Sequence, residues 1–245
     1  MYRKTIVYRP TTWSYILTLT FMTLTITVVV LSSIQIFTEA LMIPPEIALI
    51  ALYVSLIGSM INIPITSIKT LDYGLVYEEI NIFGIRWFLP SIGLRERKTI
   101  ILINLGGAII PITISTYILI RIILNPIVNL QISLTRIFVA IIIVSLIVNR
   151  FAKIIPRFGI VIPGFIPPTI TAIISIALAT IPPKCNPSII AYISGTMGTL
   201  IGADLLNLRK MPKIGSSMVS IGGAGTFDGI YLTGLVASAL TLIIM

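Results

Sequence analysis

Histidine is absent from this 245-residue chain, and Cys185 is its only cysteine. A disulfide framework within one chain and a zinc site built from cysteine and histidine are therefore both excluded. Charge is scarce as well: charged residues make up 10% of the chain, against about 25% in a typical soluble domain. Hydrophobic residues account for 56%. This composition leaves no room for a sizeable soluble domain and indicates an integral membrane protein whose main partner is the lipid bilayer.

Apolar runs suited to crossing the bilayer recur along the whole chain. A helix needs roughly 20 residues to cross about 30 Å of hydrocarbon. The runs are Trp13–Phe37, Pro45–Ile65, Thr99–Ile120, Leu134–Asn149, Ile160–Thr180, Pro187–Leu206 and Gly222–Met245. We therefore predict an all-α fold, a polytopic transmembrane helical bundle of about seven spans, as a single transmembrane domain over residues 1–245.

The basic residues predict the orientation of the bundle. With seven spans, all of the 17 Lys and Arg residues except Arg121, Arg136 and Lys184 fall on one side of the membrane. The positive-inside rule makes that side cytoplasmic, so the N-terminus is inside. This predicts a multi-pass protein of the cell membrane. Because the basic residues cluster in loops, the net charge of +9 is a topology signal and does not indicate nucleic acid binding.

The only long predicted loop, Thr66–Lys98, contains β-branched and aromatic residues on both sides of Gly84. Val76–Ile82 and Ile85–Leu89 are typical of short strands, so we expect a small cytoplasmic β-hairpin near the membrane surface. Trp87 in this hairpin suits the headgroup zone.

Short glycine-containing words indicate an internal repeat. The word Tyr53–Gly58 resembles Tyr192–Gly198, and Leu105–Ala108 resembles Ile221–Ala224. In the seven-span topology each pair runs in the same direction. This favours a three-plus-one-plus-three parallel repeat with the fourth span as linker.

Two acidic residues, Asp204 and Asp228, fall within predicted spans, and the other acids lie in loops or at span ends. A carboxylate inside the membrane is a functional-site hypothesis by default. Both aspartates are within about two helical turns of the same membrane face, roughly 5–10 Å inside it. Two such carboxylates can share one proton and act as general acid and general base. We therefore predict Asp204 and Asp228 as a catalytic pair for aspartyl peptide hydrolysis.

A structural role for the two aspartates stays open beside the catalytic one. Asp228 follows a glycine-rich turn at a plausible helix start, where a carboxylate stabilises free backbone N–H groups. Asp204 could instead pair with Arg209 or Lys210.

A second set of candidate residues lies where Gly and Pro break the spans. Broken helices expose backbone groups at depth, which can line an ion or substrate site, or can simply be kinks packed against neighbours. The candidate substrate or ion-binding residues are Asn62, Asn104, Gly106, Gly107, Gly222, Gly223, Gly225 and Thr226. The glycine-rich turn lacks the Gly-Lys-Ser/Thr ending of a P-loop, so no nucleotide is expected, and no other cofactor or metal is indicated.

Several stretches resemble a prokaryotic family of multi-pass membrane proteins known only as a domain of unknown function. The matching words are Ile61–Pro64, Asn104–Pro111, Gly202–Asn207 and Ser220–Ile230. The resemblance implies a membrane fold and supplies no activity.

A further likeness concerns the two aspartates. Presenilin-like and signal-peptide-peptidase-like proteases carry one aspartate in the sixth span and another in a Gly-x-Gly-Asp motif opening the seventh. Asp204 and Asp228 occupy similar places, although Thr226 and Phe227 separate Gly225 from Asp228. This likeness implies cleavage of a transmembrane peptide.

The predicted architecture also resembles the sugar-transporting SWEET family, which implies transport of a small solute. Three functions therefore remain: an intramembrane aspartyl protease-like hydrolase, a small-solute or ion-coupled transporter, and a non-catalytic membrane subunit of a complex. The first is favoured because paired carboxylates at matched depth are more specific than scattered glycines. The oligomeric state is left open.

Overall fold

The computed structural model describes residues 17, 20, 21, 31–126, 129–156 and 159–245. The predicted first span, Trp13–Phe37, lies largely outside the described residues, as does the N-terminus whose side of the membrane was predicted. The described part opens with a helix whose last turn, Ile36–Ala40, has π-helical hydrogen bonding. Phe37 in this turn is fully buried.

Six α-helices follow within the described residues. They are α1 (Pro45–Gly58), α2 (Ile110–Leu124), α3 (Leu130–Phe151), α4 (Ile166–Thr180), α5 (Pro187–Thr199) and α6 (Gly229–Ile244). Shorter helical pieces, Leu105–Ile109, Leu200–Asp204, Leu205–Ile214 and Gly225–Phe227, adjoin them. Proline lies in the first turn of α1, α4 and α5, where its missing N–H removes no helical hydrogen bond.

Five strands form two sheets among the described residues. β1 (Asn62–Ile82), β2 (Ile85–Asn104) and β5 (Met218–Ile221) form one sheet, and β3 (Lys153–Ile155) pairs with β4 (Gly159–Val161) in the other. β1 and β2 are antiparallel, and β5 runs parallel to β2. The hairpin turn consists of Phe83 and Gly84, both with positive φ (54° and 80°), as a tight two-residue turn requires.

The predicted all-α bundle of seven spans is therefore wrong. Among the described residues, three helical segments are long and apolar enough to cross a membrane: Leu105–Leu124, Leu130–Phe151 and Pro187–Pro212. The predicted hairpin turns at Gly84 as expected, but its strands run far beyond the loop. They replace the end of the predicted second span and the beginning of the third. Ile- and Thr-rich runs fit a strand as well as a helix, and hydropathy alone does not separate the two.

The predicted three-plus-one-plus-three repeat is also wrong. Leu105–Ala108 forms a helical turn leading into α2, whereas Ile221–Ala224 is the end of a strand followed by a turn. The similar words therefore adopt different structures, because a glycine-rich tetrapeptide has little conformational preference of its own.

The helical core is centred on α5. Tyr192 and Ile193 are almost fully buried, and the ring of Tyr192 meets that of Phe37 edge-on with centroids 5.9 Å apart. α5 and α6 approach through glycines: a Cβ atom added to Gly195 would lie 3.1 Å from Cα of Gly234. This close pairing brings the end of α5 next to the start of α6.

Candidate functional site

Asp204 lies just beyond α5, at the point where the helix changes its hydrogen bonding. α5 continues as the π-helical turn Leu200–Asp204 and then as the 3₁₀ helix Leu205–Ile214. Such π-helical turns recur at functional sites, because they redirect the side chains that follow. The side chain of Asp204 is half-buried.

Close packing against α3 fixes this turn. A Cβ atom on Gly202 would lie 2.3 Å from the carbonyl oxygen of Ser145, so only glycine fits there. The carbonyl oxygen of Gly202 accepts hydrogen bonds from Nδ2 of Asn149 at 2.9 Å and from Nδ2 of Asn207 at 3.3 Å. These amides hold the backbone on both sides of Asp204 in place.

Asp228 is the N-cap of α6. Its carboxylate accepts hydrogen bonds from the backbone N–H groups of Ile230 at 3.0 Å and Ala224 at 3.3 Å. The capping role considered as the structural alternative is therefore present at this residue. No ion pair of Asp204 with Arg209 or Lys210 is found among the described residues, and Asp204 makes no capping hydrogen bond.

Both aspartates line one cavity of about 480 Å³. Each is half-buried, so each carboxyl group lies at the border between protein and the cavity space. Walls are contributed by β4, by β5 and by the glycine-rich turn that includes Gly222 and Gly223. The cavity thus presents two acidic groups beside exposed backbone.

Burial raises the pKa of the Asp228 carboxyl above its ordinary value, while the hydrogen bonds from Ile230 and Ala224 act in the opposite direction. Desolvation is the larger of the two effects. Asp228 therefore gains a proton at a higher pH than a solvated aspartate does.

Thr199, which the sequence prediction missed, also lines this cavity. It is 1% exposed, and its Oγ1 has no hydrogen-bond partner among the described residues. A buried hydroxyl without a protein partner is costly, and a bound water or a ligand can supply the missing hydrogen bond. Thr199 is one of many threonines in apolar sequence, so no local signal distinguishes it.

The other predicted binding residues form a polar junction beside the cavity. Nδ2 of Asn104 donates to the Ser59 carbonyl oxygen at 2.8 Å and to Oδ1 of Asn62 at 3.2 Å. Oδ1 of Asn104 accepts from the backbone N–H of Gly107 at 2.8 Å. Ser220 Oγ donates to Asn62 Oδ1 at 2.6 Å. The two asparagines thus join the base of the hairpin to the helical turn before α2 and to β5.

The glycine-rich turn closes onto this junction. The backbone N–H of Thr226 donates to Ser59 Oγ at 3.1 Å. Gly106 and Gly225 make close approaches too: a Cβ atom on either would lie 2.8 Å or less from Oγ of Ser59. Of the eight predicted binding residues, Gly222 and Gly223 line the cavity with the aspartates, and the other six belong to the junction.

The described residues contain no group of three or more His, Cys, Asp or Glu side chains placed to hold a metal ion.

A family model described as "Protein of unknown function (DUF1614)" matches residues 56–240. The match covers well over half of the chain and includes both aspartates, the hairpin and the junction. Comparison with curated proteins and with solved structures gave no match. The likeness of Asp204 and Asp228 to the aspartates of presenilin-like proteases stays a prediction.

Proposed function

The chain belongs to the DUF1614 family of proteins of unknown function, and we propose that it is a membrane-embedded aspartyl hydrolase that cleaves peptide bonds with Asp204 and Asp228. One observation carries the proposal: two half-buried carboxyl groups line the same cavity. Two carboxyl groups that share a site hold one proton between them, which supplies an acid and a base together.

The different surroundings of the two aspartates assign their roles. Asp228 is held by two backbone N–H groups, which orient its carboxylate and stabilise its negative charge. It is the general base that takes a proton from water. Asp204 makes no such hydrogen bond and carries the shared proton to the carbonyl oxygen of the substrate. Water adds to the carbonyl carbon as Asp228 takes one of its protons and Asp204 protonates the carbonyl oxygen, which gives a neutral gem-diol. The C–N bond then breaks as Asp228 passes its proton to the leaving nitrogen and a gem-diol hydroxyl returns a proton to Asp204, giving an acid and an amine.

The walls of the cavity suit a peptide. Thr199 Oγ1 has its hydroxyl available to donate a hydrogen bond to the substrate carbonyl oxygen while Asp204 protonates it. β5 is an edge strand of its sheet and borders the cavity, so its backbone can pair with an extended chain. The apolar segment Pro187–Pro212, which contains Asp204, favours a substrate that is itself embedded in the membrane.

The test is peptide cleavage by purified protein in lipid nanodiscs, with a pool of single-span transmembrane peptides as substrates and mass spectrometry of the products. Asp204→Asn and Asp228→Asn should each lower the cleavage rate by about 100-fold or more. Asp228→Asn is better suited to this test than Asp228→Ala, because the amide oxygen can still accept from the Ile230 N–H, although the NH2 group cannot accept from the Ala224 N–H. Glu96→Gln, which neutralises an exposed carboxylate on the hairpin, should leave the rate unchanged. Undiminished cleavage by either aspartate variant, or no cleavage by the wild type, excludes the hydrolase.

Transport of a small solute is the second candidate, and buried hydroxyl groups favour it. Ser194 on α5 and Ser175 on α4 are fully buried, and their Oγ atoms have no hydrogen-bond partner among the described residues. With Thr199 they place unpaired hydroxyls along the helices that lead to Asp204. A carrier would use these groups to replace the hydration of its solute. Solute uptake by proteoliposomes that persists with no peptide cleavage supports transport over hydrolysis.

A further inference from the structure

A second cavity, of about 280 Å³, lies at the end of the helices remote from Asp204. It is bordered by the C-terminal end of α2, the N-terminal end of α3 and the residues just before α5. Asn186, the N-cap of α5, is one of its lining residues. Asp204 follows 18 positions later in the sequence, which at 1.5 Å per helical residue is about 27 Å away. The two cavities are therefore separate sites.

Three basic residues, Arg121, Arg136 and Lys184, come together at this second cavity. Arg121 and Lys184 line it, although 63 positions separate them in the sequence. Arg136 is 8% exposed and lies behind it.

Arg136 fixes the segment that carries Lys184. Its NH1 donates to the Pro183 carbonyl oxygen at 2.7 Å and to Cys185 Sγ at 3.0 Å, and its NH2 donates to the Ile181 carbonyl oxygen at 2.8 Å. A buried guanidinium held by neutral groups keeps its full positive charge. The segment is therefore rigid and electropositive at the rim of the cavity.

Arg121 is held in place in a similar way. Its NH1 donates to the carbonyl oxygen of Met42, and its guanidinium lies 5.9 Å from the ring centroid of Tyr117. Neither contact neutralises its charge, and five N–H donors leave several available. Among the described residues, neither Arg121 nor Lys184 forms an ion pair with a carboxylate.

The rest of the cavity is mostly apolar. Leu41, Ile118, Ile137 and Ile190 contribute walls that are continuous with the hydrophobic core. Two cations at a rim over an apolar floor are complementary to a molecule with an anionic head and a hydrocarbon tail.

We propose that this cavity binds an anionic phospholipid, with the headgroup phosphate between Arg121 and Lys184 and an acyl chain against the isoleucine-lined wall. Guanidinium and ammonium groups bind phosphate by charge-assisted hydrogen bonds. Basic pockets between transmembrane helices are known to bind such headgroups. The site is independent of the proposed hydrolase, since it shares no residue with the aspartate cavity.

Cys185 provides a built-in reporter. It lines the cavity, is half-buried, and is the only cysteine in the chain. The experiment measures the rate at which N-ethylmaleimide modifies Cys185 in nanodiscs of phosphatidylcholine containing increasing phosphatidylglycerol. A phospholipid in the cavity covers the thiol, so the rate should fall to a plateau as phosphatidylglycerol increases. Each basic side chain near the membrane surface contributes about 1 kcal/mol to binding of an anionic lipid. Replacing both, as Arg121→Gln with Lys184→Gln, should therefore raise about 30-fold the mole fraction of phosphatidylglycerol that gives half of the full protection.

The matched control removes two basic residues elsewhere. Lys69→Gln with Arg86→Gln changes the net charge equally on the exposed hairpin and should leave the protection curve unchanged. Lys184→Gln alone, at an exposed position, should shift the curve in the same direction without affecting folding. The proposal is overturned if Cys185 is protected as well in pure phosphatidylcholine as in membranes with phosphatidylglycerol. It is also overturned if the variant with Arg121→Gln and Lys184→Gln has the same protection curve as the wild type. Equal protection by inorganic phosphate or by oleate in phosphatidylcholine also overturns it, and assigns the site to a free anion or a fatty acid instead.

Discussion

Gly107 lies so close to Gly222 that a Cβ atom on Gly107 would be 2.3 Å from the Gly222 carbonyl oxygen. The two residues belong to segments far apart in the sequence, and their contact seals the polar junction beside the aspartate cavity. The two nearest atoms, the carbonyl oxygens of Gly222 and Gly225, belong to the backbone, so no side-chain rotation can make room for a methyl group.

Gly107→Ala should therefore lower the free energy of unfolding by about 1–3 kcal/mol, because overpacking a tight contact forces the backbone to shift. Thermal unfolding in detergent would measure the change. Gly164→Ala is the matched control, since a Cβ atom on Gly164 meets nothing within 4 Å. Equal stability of the two variants would contradict the close approach.

Asp228→Ala should lower the free energy of unfolding by about 1 kcal/mol, because the N–H of Ile230 in the first turn of α6 and the N–H of Ala224 in the preceding turn lose their acceptor. Asp228→Asn keeps the acceptor for the Ile230 N–H and loses the one for the Ala224 N–H, so it should be destabilised less than Asp228→Ala while still losing peptide cleavage. The two variants thus separate stability from catalysis at one position. If Asp228→Asn unfolds as readily as Asp228→Ala, loss of activity in that variant cannot be assigned to chemistry.

The fall in the rate of hydrolysis at low pH should depend on the pKa of Asp228. Burial raises the pKa of its carboxyl, so the base becomes protonated above the value of about 3.9 that is ordinary for aspartate. Peptide cleavage should accordingly decline as the pH falls through that raised pKa. A pH–rate profile that stays flat down to about pH 4 would falsify the assignment of Asp228 as the base.

Thr199→Val should reduce cleavage by about 100-fold, the loss typical of removing one oxyanion donor. Protein stability should not fall, because the hydroxyl that is removed has no hydrogen-bond partner among the described residues. Ser194→Ala removes another buried, unpaired hydroxyl from α5, but Ser194 does not line the cavity, so cleavage should be unaffected. Similar losses of activity in both variants would point to a general effect on α5.

Arg136→Leu should lower the free energy of unfolding by about 2–4 kcal/mol, since the carbonyl oxygens of Ile181 and Pro183 lose their buried donor. The freed segment should also expose Cys185 to N-ethylmaleimide. Arg150→Gln, at an exposed position near the end of α3, serves as the comparison and should change neither property. Unaltered stability in Arg136→Leu would mean that the segment is held by other contacts.

A helix of this protein could be predicted from the sequence where residues within the helix itself determine its start and its length. Proline starts α5, Asn186 caps it, and its apolar length is sufficient to cross a bilayer. The predicted sixth span therefore corresponds to an observed helical segment. The predicted catalytic pair stays a prediction, to which the structure adds that Asp204 and Asp228 line one cavity.

The turn of the hairpin could be predicted from the sequence, but the length of its two strands could not. Thr99–Ile103 is as apolar as a membrane helix, and its strand conformation comes from pairing with residues 31 to 40 positions earlier, which no local pattern encodes. Asn62 and Asn104, which lie opposite each other at the hairpin base, are the polar residues that mark where the strands end. Thr199 was missed for a related reason: its unpaired hydroxyl depends on what packs around it.

The length of the hairpin has a mechanical consequence. Its strands of 21 and 20 residues extend about 65–70 Å at 3.3–3.4 Å per residue. That exceeds the full thickness of a bilayer, about 40–45 Å with its headgroups. At the base of the hairpin, Asn62 accepts a hydrogen bond from Ser220, which lies eight positions before Asp228 in the sequence. A load applied near Phe83 at the tip would therefore act as torque on the segment that leads into the aspartate cavity.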